Sequence, residues 1–554
     1  MKTDEIQAAE ELLFAGPQRL GVAKGLFQGK FIADWVTPYP EPPVVESLKD
    51  IRQFLDENLD PAAIDRQADI PAHVITGLAK LGVLGMAAPV EFGGRGASQA
   101  QYCRVMEELG GRCSSTSIFV NAHHSIGLRA LVLFGTPEQK ARWLPALARG
   151  EKLAAFALTE PEAGSDAANV QTRATLKGDH YILNGEKRYI TNAAIAHVLT
   201  VMARTEEGIT AFLVTPDMPG FAIIEPRMEK LGIRGTATGK LAFKDMPVPK
   251  ENILGQPGKG LKVALTVLDF GRTTFGACCT GAAKTALRLA VHHANTRRQF
   301  GRPLGEFELV KKKLARMAAD TYAMEAMTCV TASLIDRGLE DYMIETAILK
   351  VFTTEALWGI VNDAFQIHGG AAYFTNLPLE RMLRDARINQ IGEGANEVLV
   401  SFIALAGMRG PGLQLQELWE ALRHPASLGK AWRLGFERVG SAVSTPAVPF
   451  RSAHAGTFAQ LIRRFHIAVD RALIEHREDI LNRQYVQQRM AGAAVELFAS
   501  ACVLSRCEAE GTSPAAELFV SRSLRRVRRW LSKIRDNDDA LVSAVADAAL
   551  GKPT

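Results

Sequence analysis

The spacing of apolar residues changes twice along the chain, and these changes constrain the fold more than any other feature. From Leu153 to Leu254, short alternating runs are separated by turn signals such as Gly178-Asp179 and Met218-Pro219-Gly220. Before and after this block, apolar residues recur every three or four positions over long stretches. The sequence therefore predicts an α+β chain that is mostly α, with a small antiparallel β domain between helical regions.

Within the β block, the clearest local pattern surrounds Asn184-Gly185. Tyr181–Leu183 precedes this pair and Arg188–Ile190 follows it, which predicts a β-hairpin. Further strands are predicted over Val198–Ala203, Thr210–Val214 and Lys240–Phe243.

The helical regions carry recognisable boundaries. Thr136-Pro137-Glu138-Gln139 combines a capping box with proline at the first helical position, so a helix is expected to begin there. Amphipathic stretches predict helices over Ser47–Leu59, Gln99–Leu109, Lys262–Asn295, Leu309–Arg337, Asp341–His368 and within Thr457–Ala549. Lys430–Phe450 contains two prolines and is predicted to be a loop or linker. The expected domains are 1–152 (helical), 153–258 (β), 259–410 (helical bundle), 411–456 (linker or membrane-surface segment) and 457–554 (extra helical domain).

Composition excludes several classes of protein. The 554 residues are 47% hydrophobic and 23% charged, which argues against a disordered or fibrous chain. Seven cysteines without a CxxC pair predict reduced, mostly buried thiols, and no metal site is expected. The apolar stretch Ala491–Ser505 is too short to span a membrane. The acidic N-terminus (MKTDEIQAAEELLF) is unlike a signal or transit peptide.

Charge is distributed unevenly. Ser401–Thr554 carries 21 Lys and Arg against 15 Asp and Glu, a net +6, so the first 400 residues sum to −1. Two segments, Leu428–Val439 and Ser521–Arg535, combine arginine with tryptophan. This pattern suits an anionic membrane surface, and an ordinary solvated face or an ion-pair network would show it too. Nucleic-acid binding is not expected, because no known binding motif accompanies the charge.

Two segments carry the most specific signal. They are Ala157–Asn169 (ALTEPEAGSDAAN), followed by Tyr189-Ile190-Thr191-Asn192, and Gln366–Glu397 (QIHGGAAYFTNLPLERMLRDARINQIGEGANE). In order and spacing they resemble the acyl-CoA dehydrogenase family of flavoproteins, over about Phe31–Gly410. Ala372 departs from the family, which usually has a third glycine there.

The two ends of the chain resemble only the very-long-chain branch of the family. The segments concerned are Gly25–Lys30, Pro38-Tyr39-Pro40 and Asn482–Arg489 (NRQYVQQR). The resemblance implies the family fold, with an N-terminal helical domain, a middle β domain, a helical bundle and an added C-terminal helical domain.

The resemblance implies that FAD is the cofactor. In Thr159–Asp166, glycine permits close approach of the backbone and the hydroxyls offer hydrogen bonds, although a plain polar turn would contain the same residues. Two segments, around Arg297 and Gln366, match parts of the family that reach the FAD of a partner subunit. Tyr189 stands where many members have tryptophan. The implied cofactor positions are Leu158, Thr159, Gly164, Ser165, Tyr189, Ile190, Thr191, Arg297, Gln299, Phe300, Gln366, Ile367, His368, Gly369, Gly370, Ala395, Asn396, Glu397 and Gln484.

Glu393 matches the position of the family's catalytic base. Removal of a thioester α-proton needs a carboxylate whose basicity is raised by burial. The resemblance also implies substrate contacts at Ser165, Asp269, Arg272, Gly392 and Gly394. Asp269 and Arg272 are expected just before a long helix, where a surface ion pair is the alternative.

Three local departures from the family pattern surround the site. Gly392 replaces a usual aromatic residue, and Ala395 replaces a usual hydroxyl residue. In Ser117–His124, which lines the floor of the acyl pocket in relatives, Asn121 and its neighbours are bulkier than the glycines of long-chain members. The preferred chain length is therefore left open.

The expected activity is FAD-dependent α,β-dehydrogenation of a long-chain acyl-CoA, with electrons passing to electron transfer flavoprotein. Two alternatives are an acyl-CoA oxidase that uses O₂, and an assembly or scaffold protein derived from a dehydrogenase. A homodimer with peripheral membrane contact is expected, in a bacterial cytoplasm or, for a eukaryotic chain, at the matrix face of the mitochondrial membrane.

Overall fold

The computed structural model describes residues 19–424 and 428–552, so the acidic N-terminal segment lies outside the described part of the chain. The described chain divides into two compact units. Unit 1 contains residues 42–338 and 353–395, and unit 2 contains residues 19–41, 339–352 and 396–552.

Helices dominate both units. In chain order they are α1 (Val22–Phe27), α2 (Leu48–Asn58), α3 (Pro61–Gln67), α4 (Ala72–Lys80), α5 (Gln99–Arg112), α6 (Ser114–Asn121), α7 (Arg129–Phe134), α8 (Pro137–Ala148), α9 (Gly260–Thr296), α10 (Glu308–Asp336), α11 (Met343–His368), α12 (Leu379–Ile388), α13 (Asn396–Arg423), α14 (Leu428–Val443), α15 (Ala455–His476), α16 (Gln484–Glu510), α17 (Pro514–Ser532) and α18 (Asp539–Ala549). The capping box at Thr136 is confirmed: its side chain accepts a hydrogen bond from the Gln139 N–H, and the Gln139 side chain accepts one from the Thr136 N–H.

The β domain of unit 1 is one sheet of eight strands. The strands are β1 (Ala154–Ala157), β2 (Arg173–Lys177), β3 (His180–Ile190), β4 (Val198–Thr205), β5 (Gly208–Val214), β6 (Phe221–Glu225), β7 (Gly239–Pro249) and β8 (Ile253–Leu254). Their order is β6-β7-β3-β2-β4-β5-β8, and β1 pairs with β4. The pairs are antiparallel except where β1 and β2 meet β4. A separate short ribbon joins β9 (Arg298–Gln299) and β10 (Arg302–Pro303).

The hairpin predicted at Asn184-Gly185 is wrong. β3 runs unbroken through both residues, and its register against β7 shifts between Leu183 and Gly185. The glycine is needed here for a close approach, since a methyl group at Gly185 would lie 2.5 Å from Oγ1 of Thr172. The turn of the real hairpin is Gly178-Asp179, between β2 and β3.

Helices α5 and α9 of unit 1 pack closely against each other. A methyl group at Gly281 of α9 would lie 1.9 Å from the Glu107 carbonyl oxygen of α5. One at Gly110 of α5 would lie 2.4 Å from the Cys278 carbonyl oxygen. The two helices therefore pack backbone against backbone, which fixes α9 within the core. Asp269–Arg272, expected before this helix, lies inside α9.

Unit 2 is helical throughout its C-terminal part. The loop predicted from Lys430 is wrong as far as Val443, because α14 occupies this stretch and both prolines, Pro446 and Pro449, lie after it. α16 is longer than the apolar stretch 491–505 predicted, and it is long and apolar enough to span a membrane, as are the segments Ser114–Phe134 and α13. The apolar part of α16 is 78% buried within the protein, so packing accounts for its composition.

All seven cysteines are free thiols, and six of them are buried. This agrees with the expectation of reduced, mostly buried cysteines.

Candidate active site

Asn121 ends α6 at the start of a π-helical turn, Ala122–Leu128. Backbone groups of neighbouring elements hold this turn through two buried histidines. His124 Nε2 accepts a hydrogen bond from the Ala87 N–H at 2.9 Å, and His123 Nδ1 accepts one from Ala154 N–H at 3.0 Å. Burial lowers the pKa of His123 to about 4, so this ring is neutral at physiological pH. π-Helical turns often occur at functional sites, and this one places the Asn121 side chain in the interior.

Glu393 lies in the loop that follows α12. The N–H groups of Ile391 and Gly392 both donate to the Ile388 carbonyl at 2.9 Å, which closes the helix end. Glu393 then adopts a left-handed backbone conformation, with φ of 56°. Its Oε1 accepts a hydrogen bond from Asn121 Nδ2 at 2.7 Å. The half-buried Glu393 carboxylate is therefore anchored by a side chain from another part of unit 1.

The residues of α9 face the same loop. A methyl group built at Gly271 would lie 3.0 Å from Glu393 Oε2 and 3.2 Å from Cγ2 of Ile126, so only glycine leaves room for the carboxylate. Arg272 donates to the Glu393 carbonyl at 3.5 Å through Nε and pairs with Asp269 at 2.8 Å. The structure thus brings Asp269, Arg272 and Glu393 together. The Asp269–Arg272 ion pair is buried, in contrast to the surface ion pair considered from sequence.

A buried ion pair between Glu160 and Lys187 fixes the predicted flavin turn, Thr159–Asp166. Glu160 accepts hydrogen bonds from the backbone N–H groups of Gln171, at 2.5 Å, and Thr172, at 3.1 Å. Lys187 donates to Glu160 at 2.6 Å and to the Leu158 carbonyl at 3.0 Å. Burial lowers the pKa of Lys187 to about 8, with Glu160 acting in the opposite direction. Burial opposes ionisation of Glu160, but attraction to Lys187 together with the hydrogen bonds from Lys187, Thr172 and Gln171 lowers its pKa, so the pair is charged at neutral pH.

Thr159, Gly164 and Tyr189 form an open polar shelf near this ion pair. Thr159 and Tyr189 are neighbours, since the Arg188 N–H donates to the Thr159 carbonyl at 2.9 Å. The Tyr189 ring is 56% exposed, and no atom lies within 4 Å of a methyl group built at Gly164. An exposed aromatic face beside hydroxyls and an open glycine fits the planar, hydrogen-bonding isoalloxazine ring of FAD. Near this shelf the structure also places half-buried Leu158 and Thr191, exposed Ser165 and buried Ile190.

The segments around Arg297 and Gln366 meet through stacked histidines. The rings of His293 and His368 lie 4.2 Å apart. Arg297, Gln299, Phe300, Gln366, Gly369 and Gly370 are exposed, whereas Ile367 is buried and His368 is half-buried. Phe300 is 92% exposed, as expected for a residue that contacts something outside this chain.

The remaining predicted positions divide between the units. Gly392, Gly394 and Ala395 are half-buried beside the base in unit 1. Asn396, Glu397 and Gln484 belong to unit 2. There Asn396 is buried and its Oδ1 accepts a hydrogen bond from Lys350 Nζ at 2.8 Å, while Glu397 and Gln484 are exposed. Their contact with FAD stays a prediction.

Comparison with known proteins identifies the family. Models of the N-terminal, middle and C-terminal domains of acyl-CoA dehydrogenases match residues 46–151, 155–246 and 258–408, and a model of the ACAD9/ACADV C-terminal domain matches 451–550. The mouse very long-chain specific acyl-CoA dehydrogenase, mitochondrial, is 36% identical over 512 residues, which cover 87% of this chain and 78% of that protein. The chain belongs to the acyl-CoA dehydrogenase family.

Solved structures agree with this assignment. An acyl-CoA dehydrogenase from Bacillus anthracis, solved with FAD, superposes with a TM-score of 0.80 at 28% identity and covers 96% of this chain and 95% of its own. Butyryl-CoA dehydrogenase from Megasphaera elsdenii gives 0.64 at 34% identity and covers 67% and 100%. The predicted fold, the enzyme class and the FAD cofactor of this acyl-CoA dehydrogenase are thereby confirmed, and dehydrogenation is favoured over the oxidase and scaffold alternatives.

Sequence reasoning missed several residues that shape this site. It treated Asn121 only as a bulky pocket residue, and it did not single out Gly271, Lys187 or Thr274, whose hydroxyl lies 2.5 Å from Asn121 Oδ1. A polar residue inside the apolar run Ile118–Ala122 was the available signal for Asn121. Lys187 offered a weaker one, because its inward position follows only if β3 continues through Asn184-Gly185.

Proposed function

We propose that this acyl-CoA dehydrogenase converts a long-chain acyl-CoA to the trans-2-enoyl-CoA, with Glu393 as the base that removes the α-proton. The observation that carries the assignment is the position of Glu393. Its carboxylate is held by Asn121 on one side and packs over Gly271 of α9 on the other. Such fixed placement is what general-base catalysis requires.

The chain's own groups account for proton removal and orientation. FAD, when bound by the residues named below, would supply the acceptor for the β-hydride, and loss of this hydride and the α-proton would leave a Cα–Cβ double bond. Glu393 receives the α-proton on its carboxylate. The Arg272 guanidinium, oriented by Asp269, supports the loop that carries this base through the Glu393 carbonyl. Ser165, Gly392 and Gly394 are the proposed substrate contacts.

The proposed FAD contacts follow the open shelf and the exposed segments. Leu158, Thr159, Gly164, Ser165, Tyr189, Ile190 and Thr191 would hold the flavin of the same chain. The exposed residues around Arg297 and Gln366 would hold the FAD of the partner in a homodimer. An arginine there suits a pyrophosphate, since its planar fork binds two oxygens.

Chain length is tested by anaerobic titration of the FAD-loaded protein with saturated acyl-CoAs from short to very long. We expect loss of flavin absorbance with long-chain substrates and formation of an equivalent amount of trans-2-enoyl-CoA. Bleaching confined to short chains would contradict the proposed substrate class. Unbleached flavin with every length would contradict the proposed function itself.

We propose electron transfer flavoprotein as the electron acceptor and a homodimer as the working assembly. The proposed location is the cytoplasm of a bacterium or, for a eukaryotic chain, the matrix face of the mitochondrial membrane. The name of the mouse relative places that protein in mitochondria.

Helix α14 supports the proposed peripheral contact with membrane. It exposes Trp432 and Phe436, each 69% accessible, with their rings 5.9 Å apart, beside the exposed Arg433. The second basic segment is partly engaged within the protein, although its Arg525, Arg528 and Arg529 are exposed. Arg526 pairs with Glu496 at 2.5 Å, and a methyl group at Gly492 would meet the Trp530 ring at 2.5 Å. Aromatic and basic side chains on one exposed helix suit an anionic lipid surface.

Substitution of both aromatic residues on α14 tests this contact. We expect the variant Trp432→Ser with Phe436→Ser to lose sedimentation with phosphatidylglycerol vesicles while keeping activity on soluble acyl-CoA. The matched control changes Leu541 and Val545, two exposed apolar residues of α18, to serine and should leave sedimentation unchanged. Equal vesicle binding by the α14 variant and the wild type would contradict the proposal.

A further inference from the structure

The Asn121 side chain lies between the proposed base and a buried hydroxyl of α9. Its Nδ2 donates to Glu393 Oε1 at 2.7 Å, and its Oδ1 lies 2.5 Å from Thr274 Oγ1. Asn121 is 1% exposed and Thr274 is fully buried. The Asn121 amide is shielded from solvent at such burial, so the two contacts determine its orientation.

The hydrogen-bond donors and acceptors of the Glu393 carboxylate, the Asn121 amide and the Thr274 hydroxyl allow one orientation of the amide. An ionised carboxylate only accepts hydrogen bonds, so the amide nitrogen of Asn121 must face Glu393. The amide oxygen then faces Thr274, whose hydroxyl must donate to it. Thr274 Oγ1 also lies 3.0 Å from the Gly271 carbonyl, but a hydroxyl carries one hydrogen and the Asn121 contact is the shorter.

A further hydroxyl continues this arrangement into the core. Ser125 Oγ lies 3.1 Å from Thr274 Oγ1 and 3.4 Å from the Tyr102 hydroxyl. Ser125 belongs to the π-helical turn that follows Asn121, and Tyr102 belongs to α5. The hydrogen-bonded series therefore connects Glu393 to three helices, α6, α9 and α5, and to the π-helical turn, all within unit 1.

We propose that Asn121, oriented by Thr274, is a positioning residue that holds the Glu393 carboxylate ionised and aimed at the substrate α-carbon. This inference rests on the proposed role of Glu393 as the base. A hydrogen bond donated to a carboxylate favours its charged form, which is the form that accepts the α-proton. It also removes the freedom of a carboxylate on a glycine-flanked loop, and misplacement of a base by about 1 Å costs roughly 10²-fold in rate.

Two titratable neighbours of Glu393 lie on α9, Arg272 and Cys278. Arg272 contacts the Glu393 carbonyl and forms a buried ion pair with Asp269. Burial raises the pKa of the Cys278 thiol to about 12, so this thiol is neutral. Loss of the Asn121 contact is therefore expected to dominate any change in the acidic limb of the pH–rate profile.

The test compares single-turnover flavin bleaching by a long-chain acyl-CoA in FAD-loaded variants across pH. We expect Asn121→Leu to retain FAD, to bleach about 10²-fold more slowly at neutral pH, and to show an acidic limb about one pH unit higher. Thr274→Val should also lower the bleaching rate and move the acidic limb to higher pH. Thr274→Ser keeps the hydroxyl and should bleach at nearly the wild-type rate. The matched control Asn252→Leu removes another buried amide, which donates to the Leu213 carbonyl at 2.8 Å in the β domain, and should leave the profile unchanged.

The variants separate the positioning role of Asn121 from the role of Glu393 as the base. The positioning role would be overturned if Asn121→Leu bleached at the wild-type rate with an unchanged acidic limb, or more slowly with an unchanged acidic limb. It would also be overturned if Asn252→Leu changed the rate and the acidic limb as Asn121→Leu does. If Asn121→Leu does not retain FAD, the comparison of Thr274→Val with Thr274→Ser decides, and equal profiles for the two would overturn it. Bleaching of the wild type together with none in Glu393→Gln upholds the proposed function independently of Asn121, and absence of bleaching in the wild type overturns both.

Discussion

The Glu393→Gln variant is expected to keep FAD bound and to lose reduction by acyl-CoA. Glutamine has nearly the size of glutamate and can accept the Asn121 hydrogen bond through its amide oxygen, so the loop should keep its shape. It cannot take up a proton at neutral pH. General-base catalysis contributes about 10²–10⁴-fold, so flavin bleaching should slow by about 10³-fold or more.

The measurement is stopped-flow flavin absorbance at matched FAD content, with acyl-CoA binding followed separately by the perturbation of the flavin spectrum. The control is Glu206→Gln, which changes an exposed carboxylate in the turn between β4 and β5, away from the residues proposed to bind substrate or FAD. Unimpaired bleaching in Glu393→Gln would remove Glu393 from the role of base.

The Gly271→Ala variant is expected to reduce the rate by about 10–10²-fold without loss of the fold. The added methyl group would lie 3.0 Å from Glu393 Oε2 and 3.2 Å from Ile126 Cγ2, which is tighter than ordinary van der Waals contact. The Glu393 carboxylate is carried by rotatable side-chain bonds, so it can move by tenths of an ångström more easily than the α9 backbone. The strain is therefore expected to displace the base, and small displacements cost rate steeply.

Gly359→Ala is the matched control for this helix substitution. Gly359 also lies within a helix, α11, and no atom lies within 4 Å of a methyl group built there. Alanine is favoured over glycine in a helix interior by about 1 kcal/mol, so this variant should keep full activity with an unchanged or slightly higher unfolding temperature. Equal rates for Gly271→Ala and the wild type would contradict the close packing of Glu393 on α9.

Local signals in the sequence predicted much of the helical structure. The Thr136 capping box is confirmed, because the side chains that define it need only neighbours three residues away. The long helix α9 is confirmed within two residues of its predicted ends. Such features depend on short-range periodicity, which one sequence displays directly.

The failures came from contacts between distant segments. Asn184-Gly185 has the composition of a hairpin turn, yet β3 continues because β7 pairs along it on both sides of the register shift. The same holds for the site. The family motif located Glu393, whereas the contact of Asn121 with it joins residues 272 positions apart and appears only in the folded chain.

If Glu393 removes the α-proton as the flavin is reduced, deuterium at the substrate α-carbon should slow flavin reduction. Wild-type protein loaded with FAD is mixed anaerobically with a long-chain acyl-CoA that carries deuterium at the α-carbon, and flavin bleaching is compared with that of the unlabelled substrate. We expect bleaching to slow severalfold with the α-label, and also with a β-label, while the enoyl-CoA yield stays equal to the flavin reduced. Rapid bleaching that is unaffected by the α-label, or that persists in Glu393→Gln, would contradict this role of Glu393.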